Sequence, residues 1–153
     1  MQDLSTIKQQ LYQACTADVE RRIATLENIL AGIQASRENE TKSSVGDKYE
    51  TGRAMLHREE AQAHRQLLQA LEDRRELNAL ESDGVSHRVQ RGSLVVTDRG
   101  SYYLAVGLGK VKVDGQLYFC VSAQSPIGRE LLNREAGDVI SFNGIRQTIR
   151  ELR

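Results

Sequence analysis

The segment "SSVGDKYETGRAM", residues 43–55, separates two long stretches whose apolar residues recur at helical spacing. It opens with small polar residues, contains Gly46 and Gly52, and carries the carboxylates Asp47 and Glu50 three positions apart. Glycine and small polar residues favour a break in a helix over its continuation. The segment therefore predicts a turn between two helices.

Each of the two flanking stretches carries one apolar stripe. In residues 3–36 the stripe recurs at steps of three and four, as on one face of an α-helix, and comprises Leu4, Ile7, Leu11, Cys15, Val19, Ile23, Leu26, Leu30 and Ile33. Residues 47–81 repeat the pattern with Leu56, Ala63, Leu67, Ala70, Leu71, Leu77 and Leu80. Two similar stripes joined by a polar break predict an antiparallel helical hairpin, a coiled coil, over residues 1–82 with an acidic tip near residues 38–50.

Composition limits the classes of protein to consider. The chain has 153 residues, of which 39% are hydrophobic, a low share for a single compact core. Its net charge of zero gives the whole molecule no strong attraction to nucleic acid or to an anionic membrane. The sequence contains no apolar run of membrane-spanning length and no signal-peptide pattern at its start. We expect a soluble, cytoplasmic protein that does not bind membranes.

From residue 83 onward the composition changes to that of a β domain. Nine of the 12 glycines lie there, between short apolar or alternating runs. These runs are "GSLVVTD", "SYYLAVG", "KVKVDG", "QLYFCVS", "DVISFNG" and "RQTIREL". Turn signals such as Asp114-Gly115 and Asn143-Gly144 separate them, which predicts six short strands in an antiparallel sheet.

One short helix is predicted between the fourth and fifth strands. The segment "SAQSPIGRELLNREAGD" offers Ser125 as N-cap, Pro126 at the first helical position and Gly137 past the end. The stretch "SDGVSHRVQR", residues 82–91, connects this part to the hairpin. The sequence thus predicts an α+β chain, with a helical hairpin over residues 1–82 and a small β domain over residues 83–153.

This combination resembles the Gre family of bacterial transcript-cleavage factors over nearly the whole chain. At the hairpin tip, Gly46-Asp47, two intervening residues and Glu50 match the family's tip motif. In the β domain the resemblance is carried by Ser122-Ala-Gln-Ser125-Pro126-Ile127-Gly128, followed by Leu131, Leu132, Gly137 and Asp138. The resemblance implies an FKBP-like fold for the β domain.

The resemblance also implies a function. Gre factors dock the β domain on the rim of the secondary channel of RNA polymerase, here through Gln124, Ser125, Pro126, Ile127 and Gly128. The hairpin then enters the channel, where Asp47 and Glu50 would help to hold a second Mg²⁺ at the polymerase active centre. Backtracked nascent RNA is cleaved there. The resemblance implies a monomeric accessory factor with no stably bound cofactor and no hydrolytic activity of its own.

The spacing of the two tip acids suits this chemistry. Residues three apart on a helix point to one side, so Asp47 and Glu50 can converge on a single ion. Magnesium prefers hard oxygen ligands and is commonly held by one or two carboxylates together with phosphates. Two carboxylates alone bind it weakly, so polymerase aspartates and RNA phosphate would complete the site.

Other roles for the tip remain open. Asp47 can cap the second helix and Glu50 can complement its dipole, each contributing about 0.3–1 kcal/mol. Typical relatives continue the tip motif with Asn, a small residue, a second acid and Tyr, whereas this chain has Thr51-Gly52-Arg53-Ala54. Many also place an acid before Ser-Pro, where this chain has Gln124. Two alternatives to a cleavage factor are open. One is a channel-binding regulator that does not promote cleavage, and the other is a coiled-coil protein unrelated to transcription.

The remaining candidate residues favour structural roles. His57 and His64 lie seven positions apart rather than at the three or four usual for a helical metal pair, which predicts surface histidines. Cys15 and Cys120 are predicted to be buried thiols, with a disulfide as the minor alternative. A nucleophilic enzyme using Cys120 and His87 would lack a third orienting group. Prolyl isomerisation relies on a pocket lined by aromatic side chains. It is disfavoured because the chain has no tryptophan and only two phenylalanines.

Overall fold

The predicted order of a helical hairpin followed by a six-stranded sheet with one short helix is confirmed. The computed structural model describes residues 3–42, 46–80 and 86–153, and describes side chains at 3–39, 51–80 and 86–153. The elements are α1 (Leu4–Lys42), α2 (Gly46–Asn78), β1 (Leu94–Thr97), β2 (Ser101–Ala105), β3 (Gly109–Val113), β4 (Gln116–Ser122), α3 (Pro126–Leu131), β5 (Val139–Phe142) and β6 (Ile145–Leu152).

The chain divides into two compact units. The first, called the hairpin unit, is Val19–Arg74; the second, called the sheet unit, combines Met1–Asp18 with Arg75–Arg153. Both long helices are continuous, so each contributes residues to both units. The predicted boundary between residues 82 and 83 lies outside the described residues.

The hairpin unit is held together by the predicted apolar stripes. Its buried residues are Val19, Ile23, Leu26 and Ile33 of α1 with Ala63 and Ala70 of α2. Ion pairs flank them: Arg22 contacts Asp73 at 3.1 Å, and Arg37 contacts Glu60 at 3.0 Å. A later position on α1 is thus paired with an earlier position on α2, as an antiparallel hairpin requires.

The sheet unit contains strands in the order β3-β4-β2-β1-β6-β5. The two predicted tight turns are confirmed, because Asp114-Gly115 and Asn143-Gly144 all have positive φ angles, as a two-residue hairpin turn of type I′ requires. The antiparallel prediction holds for every strand pair except β2 with β4, which run parallel. After β2 the chain forms β3 two strand positions away, and β4 returns into the gap between them. Turn residues indicate only local chain reversals, so this crossover was not predictable from them.

Both faces of the sheet are covered. On one face α3 closes a cluster that comprises Val89, Val95, Leu104, Ala123, Ile127, Leu131, Ile140 and Ile149. The neighbouring residue Tyr103 points to the opposite face, because side chains alternate along a strand. The first turns of α1 lie on this face, where Leu11 is buried and Cys15 contacts Cys120 of β4. The last turn of α2 packs on α1, with Leu77 buried and the Tyr12 hydroxyl donating to the Leu77 carbonyl oxygen at 3.2 Å.

Candidate functional site

The Ser-Pro turn, defined as Ser122–Gly128, joins β4 to α3 and is fixed by one side chain. Ser125 has an extended backbone (φ −69°, ψ 159°) and is the N-cap of α3, as predicted. Its Oγ accepts a hydrogen bond from the Gly128 N–H at 3.1 Å and donates to the Ser122 carbonyl oxygen at 2.6 Å. The Ser125 N–H donates to the same carbonyl at 3.1 Å. One hydroxyl therefore ties the helix start to the end of the strand.

Gly128 lets α3 approach β4 closely. A Cβ atom at this position would overlap the Ser122 carbonyl oxygen and lie 2.9 Å from the Ala123 Cα atom. The obstacle is backbone rather than a flexible side chain, so it cannot easily move aside. The adjacent Ile127 is 6% exposed and anchors the helix in the core cluster. These contacts give the turn one fixed conformation.

The five residues predicted to dock on polymerase fall into two groups. Gln124 and Pro126 are exposed and can meet a partner directly. Ile127 and Gly128 are buried and Ser125 is half-buried, so these three hold the turn in place. The docking itself stays a prediction.

The predicted set leaves out two exposed charges next to the turn. Arg129 and Glu130 of α3 both present their side chains to solvent. Arg129 lies three positions after Pro126, a spacing that places neighbouring side chains on one helix surface. Because the sequence predicts a helix from Pro126 onward, the position of Arg129 next to the turn could have been inferred from it.

Gly137 does not terminate α3, contrary to the prediction. The helix ends at Leu131, and the next left-handed residue is Asn133 at φ 67°. Gly137 instead occupies a separate turn at φ 96°, from which its N–H donates to the Ile149 carbonyl oxygen at 2.7 Å. A positive φ at this glycine was predictable, but its place in a separate turn rather than at the end of α3 was not.

The predicted tip lies at the start of α2. The helix begins at Gly46, so Asp47 and Glu50 are its second and fifth residues. Their side chains lie outside the described residues, as do residues 43–45 altogether. In the part of the chain with described side chains, no group of three or more His, Cys, Asp or Glu residues could hold a metal ion. The shared Mg²⁺ site stays a prediction.

The described surface of α2 near the tip is mostly polar and charged, with Met55 exposed among these side chains. His57 and His64 are exposed, which confirms the prediction of surface histidines. A hydrogen bond from Arg37 is the main cause that lowers the pKa of the Glu60 carboxyl, and the nearby charges of His64 and His57 act in the same direction. These groups form an ordinary solvated helix surface.

The two cysteines are buried and form no disulfide, as predicted. The structure adds that they meet, since the side chains of Cys15 on α1 and Cys120 on β4 are hydrogen-bonded. This contact, together with burial, raises the pKa of the Cys120 thiol. Cys120 is buried whereas His87 is exposed, and a thiol that stays protonated is a poor nucleophile.

None of the described helices is long and apolar enough to cross a membrane. Comparison with protein-family models and with curated proteins finds no match. Among solved structures the chain is similar to that of the transcription factor Gfh1, with 21% sequence identity over 91% of this chain and 89% of that chain, and a TM-score of 0.31. The resemblance to the Gre family rests on the motifs at residues 46–50 and 122–138.

Proposed function

We propose that the protein is a Gre-type transcription factor that binds RNA polymerase through its secondary channel and stimulates the polymerase's own cleavage of backtracked RNA. The observation that carries the proposal is the position of Asp47 and Glu50 within the first five residues of α2, the second helix of the antiparallel hairpin. Three positions are less than one helical turn of about 3.6 residues. Both carboxylates can therefore reach one metal ion.

The start of a helix also favours the ionised form of the Asp47 and Glu50 carboxylates, which is the form that binds metal. Unpaired backbone N–H groups give a helix N-terminus a partial positive charge, which stabilises ionised carboxylates. Asp47 and Glu50 would hold the ion by two hard oxygen ligands and leave its other positions to the polymerase and the RNA phosphate. The shared Mg²⁺ would supply Lewis-acid activation for hydrolysis. The protein itself would contribute the two ligands and their orientation.

The Ser-Pro turn supports the docking half of the proposal. Gln124 and Pro126 are exposed on a loop that Ser125 and Gly128 hold in one conformation. A surface that is already ordered loses little conformational entropy on binding. Proline adds rigidity, because its ring fixes φ. The turn is therefore suited to form a contact with a folded partner.

The tip is tested on a backtracked elongation complex of RNA polymerase with Mg²⁺. The wild-type protein should shorten the RNA, and Asp47→Asn/Glu50→Gln should lose this effect while still binding the polymerase. The matched control is Glu27→Gln/Glu59→Gln, which removes the same charge from exposed positions of α1 and α2. If the wild type leaves the RNA intact, or if both double variants shorten it equally, the proposed mechanism is wrong.

The docking surface is tested separately. Gln124→Ala/Pro126→Ala should weaken polymerase binding in a pull-down, with the helical circular dichroism unchanged. Gln116→Ala is the control, since Gln116 is exposed at the opposite end of β4. Equal retention of both variants on the polymerase would contradict docking through the turn.

A second candidate is a channel-binding regulator that inhibits or retunes transcription without promoting cleavage. Thr51-Gly52-Arg53 favours it, because a basic residue stands where the tip motif of typical relatives has its second acid. In this case the protein would bind polymerase and reduce RNA synthesis with no RNA shortening. Arg53→Asp discriminates further: it should increase cleavage if the missing acid limits the tip chemistry, and should leave it absent if the hairpin only occludes the channel.

A further inference from the structure

The outer edge of β3 is a feature that the proposed function does not use. The strand order β3-β4-β2-β1-β6-β5 places β3 at one end of the sheet, and within the described residues β4 is the one strand that pairs with it. An edge strand has a row of backbone N–H and C=O groups with no partner strand. Such a row can pair with another extended chain.

The register identifies the backbone groups on this open edge. Val113 and Gln116 flank the two-residue type I′ turn, so they form a hydrogen-bonded pair. Hydrogen-bonded and non-bonded pairs alternate along an antiparallel ladder, so Val111 also bonds to β4, whereas Lys110 and Lys112 do not. The N–H and C=O groups of the two lysines therefore point away from β4, toward the open edge.

The side chains of β3 differ between its two faces. Lys110 and Lys112 are exposed on one face of the sheet, and Val111 and Val113 are half-buried on the other. Neither lysine is paired with an acid among the residues whose side chains the structure describes. Gly109, at the start of the strand, is also exposed, and a Cβ atom there would meet nothing within 4 Å. The edge thus combines two unpaired positive charges, apolar side chains on the opposite face and open space at one end.

We propose that the outer edge of β3 binds an extended acidic segment of a partner protein, which adds to the sheet as a further strand. The backbone of this segment would exchange hydrogen bonds with Lys110 and Lys112. Side chains alternate along a strand, so acids opposite the two lysines would leave apolar residues opposite Val111 and Val113. The segment is therefore one in which acidic and apolar residues alternate.

The lysines also argue against a second copy of this chain as the occupant. Backbone bonding between two β3 edges would pair their outward-facing residues, and these are Lys110 and Lys112 in both copies. Like charges directly opposite each other destabilise a strand pair, and lysine is a common means by which edge strands avoid pairing with one another. The same charges attract an acidic strand. Because these charges are exposed, the attraction should weaken as salt is added.

The test uses the full chain and a fluorescently labelled peptide of alternating Glu and Val, with binding followed by fluorescence anisotropy. We expect weaker binding of a peptide of the same composition whose Glu and Val residues stand in separate blocks. Lys110→Glu/Lys112→Glu should weaken binding of the alternating peptide by about tenfold or more. The control Arg146→Glu/Arg150→Glu reverses two exposed charges on β6 and should bind like wild type. Equal loss in both double variants, or equal binding of both peptides, would overturn the proposal.

The backbone bonds are tested with Lys112→Pro. This substitution removes an N–H that points to the open edge and no bond to β4, a position at which sheets tolerate proline. Lys112→Ala is the matched control, because it removes the same charge and keeps the N–H. We expect Lys112→Pro to bind the peptide more weakly than Lys112→Ala, with circular dichroism showing that both are folded. Equal affinities would mean that the peptide does not add as a strand.

Hydrogen exchange of the wild-type protein locates the new bonds without any variant. Followed by NMR, the peptide should slow exchange at the Lys110 and Lys112 amides and leave the Val111 amide, which already bonds to β4, unchanged. Binding without this protection would overturn the proposal. Equal displacement of the peptide by a single-stranded RNA of the same charge would also overturn it, since the surface would then be a general anion site. So would a dimer through β3, detected by sedimentation and lost in Lys112→Pro.

Discussion

The backbone of Gly128 lies against Ser122, so that a Cβ atom at position 128 would overlap the Ser122 carbonyl oxygen. Gly128→Ala must therefore move α3 away from β4 or distort the turn. We expect a loss of about 1–3 kcal/mol in the free energy of unfolding, as for overpacked cores. Urea denaturation followed by circular dichroism measures it.

Gly107→Ala is the control for this substitution. A Cβ atom at Gly107 would meet nothing within 4 Å, and Gly107 is not among the glycines with positive φ. We expect its free energy of unfolding to stay within about 0.5 kcal/mol of wild type. If both alanine variants behaved alike, the close approach of Gly128 to Ser122 would not exist in solution.

Ser125→Ala should destabilise the sheet unit by removing the N-cap. The substitution leaves the Gly128 N–H without the Ser125 oxygen and deletes the hydrogen bond to the Ser122 carbonyl. Loss of an N-cap costs about 1 kcal/mol. Ser141→Ala removes a hydroxyl at an exposed strand position and provides the reference in the same denaturation assay. A cost no larger than that reference would contradict the capping role.

Gln147 is a buried amide whose oxygen accepts hydrogen bonds from two hydroxyls. Its Oε1 accepts from Thr97 Oγ1 at 2.9 Å and from the Tyr102 hydroxyl at 3.0 Å, and the residue is 4% exposed. Gln147→Met keeps the approximate shape but removes the acceptor. Thr97 Oγ1 keeps the Gly100 carbonyl oxygen at 2.8 Å as an acceptor, whereas the half-buried Tyr102 hydroxyl loses its partner. A hydroxyl left without an acceptor costs about 1–3 kcal/mol, which is the expected loss in the free energy of unfolding.

A double-mutant cycle isolates the Tyr102 part of this network. Tyr102→Phe alone should cost about 1 kcal/mol, the net value of a typical hydrogen bond. In the double variant Gln147→Met/Tyr102→Phe the Tyr102 hydroxyl is gone and needs no acceptor. The double variant should therefore lose less free energy of unfolding than the two single variants lose together. Full additivity would show that Gln147 and Tyr102 do not interact.

Local signals predicted most of the fold. The three-and-four spacing from Leu4 to Ile33 indicated the first helix, and Asp114-Gly115 and Asn143-Gly144 located two strand reversals, because in each case neighbours in sequence determine the structure. Ser125 and Pro126 likewise marked the start of α3. For the candidate site the sequence supplied the residues of the turn, and burial then separated those that can meet a partner from those that hold it.

Contacts between distant parts of the chain were not predictable in this way. The parallel pairing of Tyr103 with Cys120 depends on where β4 inserts, and no turn residue encodes that position. The meeting of Cys15 with Cys120 follows from the same packing. Val89 is another example: it lies in a largely polar connection, yet it is fully buried in the core cluster because its backbone pairs with Asn133 and Arg134.

Tyr103 should make the protein sensitive to alkali. Burial is the main cause that raises its pKa, followed by the nearby Cys15, Cys120 and Tyr12. Because the pKa in the folded protein lies above the unfolded value of about 10, the stability linked to this group is fully present below that pH and is lost as the pH rises through the folded pKa. Tyr103→Phe should therefore lose less stability than wild type above about pH 10. Denaturation at several alkaline pH values measures this, and identical profiles would contradict it.

Arg37 should control the ionisation of Glu60 in the hairpin unit. The Arg37 hydrogen bond is the main cause that lowers the Glu60 pKa, so the pair contributes stability above the usual pKa of a glutamate and loses it as the pH falls through the lowered value. In an NMR titration of the Glu60 carboxyl, Arg37→Gln should bring the pKa back toward its usual range. Arg22→Gln is the matched control, because Arg22 pairs with Asp73 instead. Equal shifts in both variants would mean that the net charge of α1, rather than this contact, sets the Glu60 pKa.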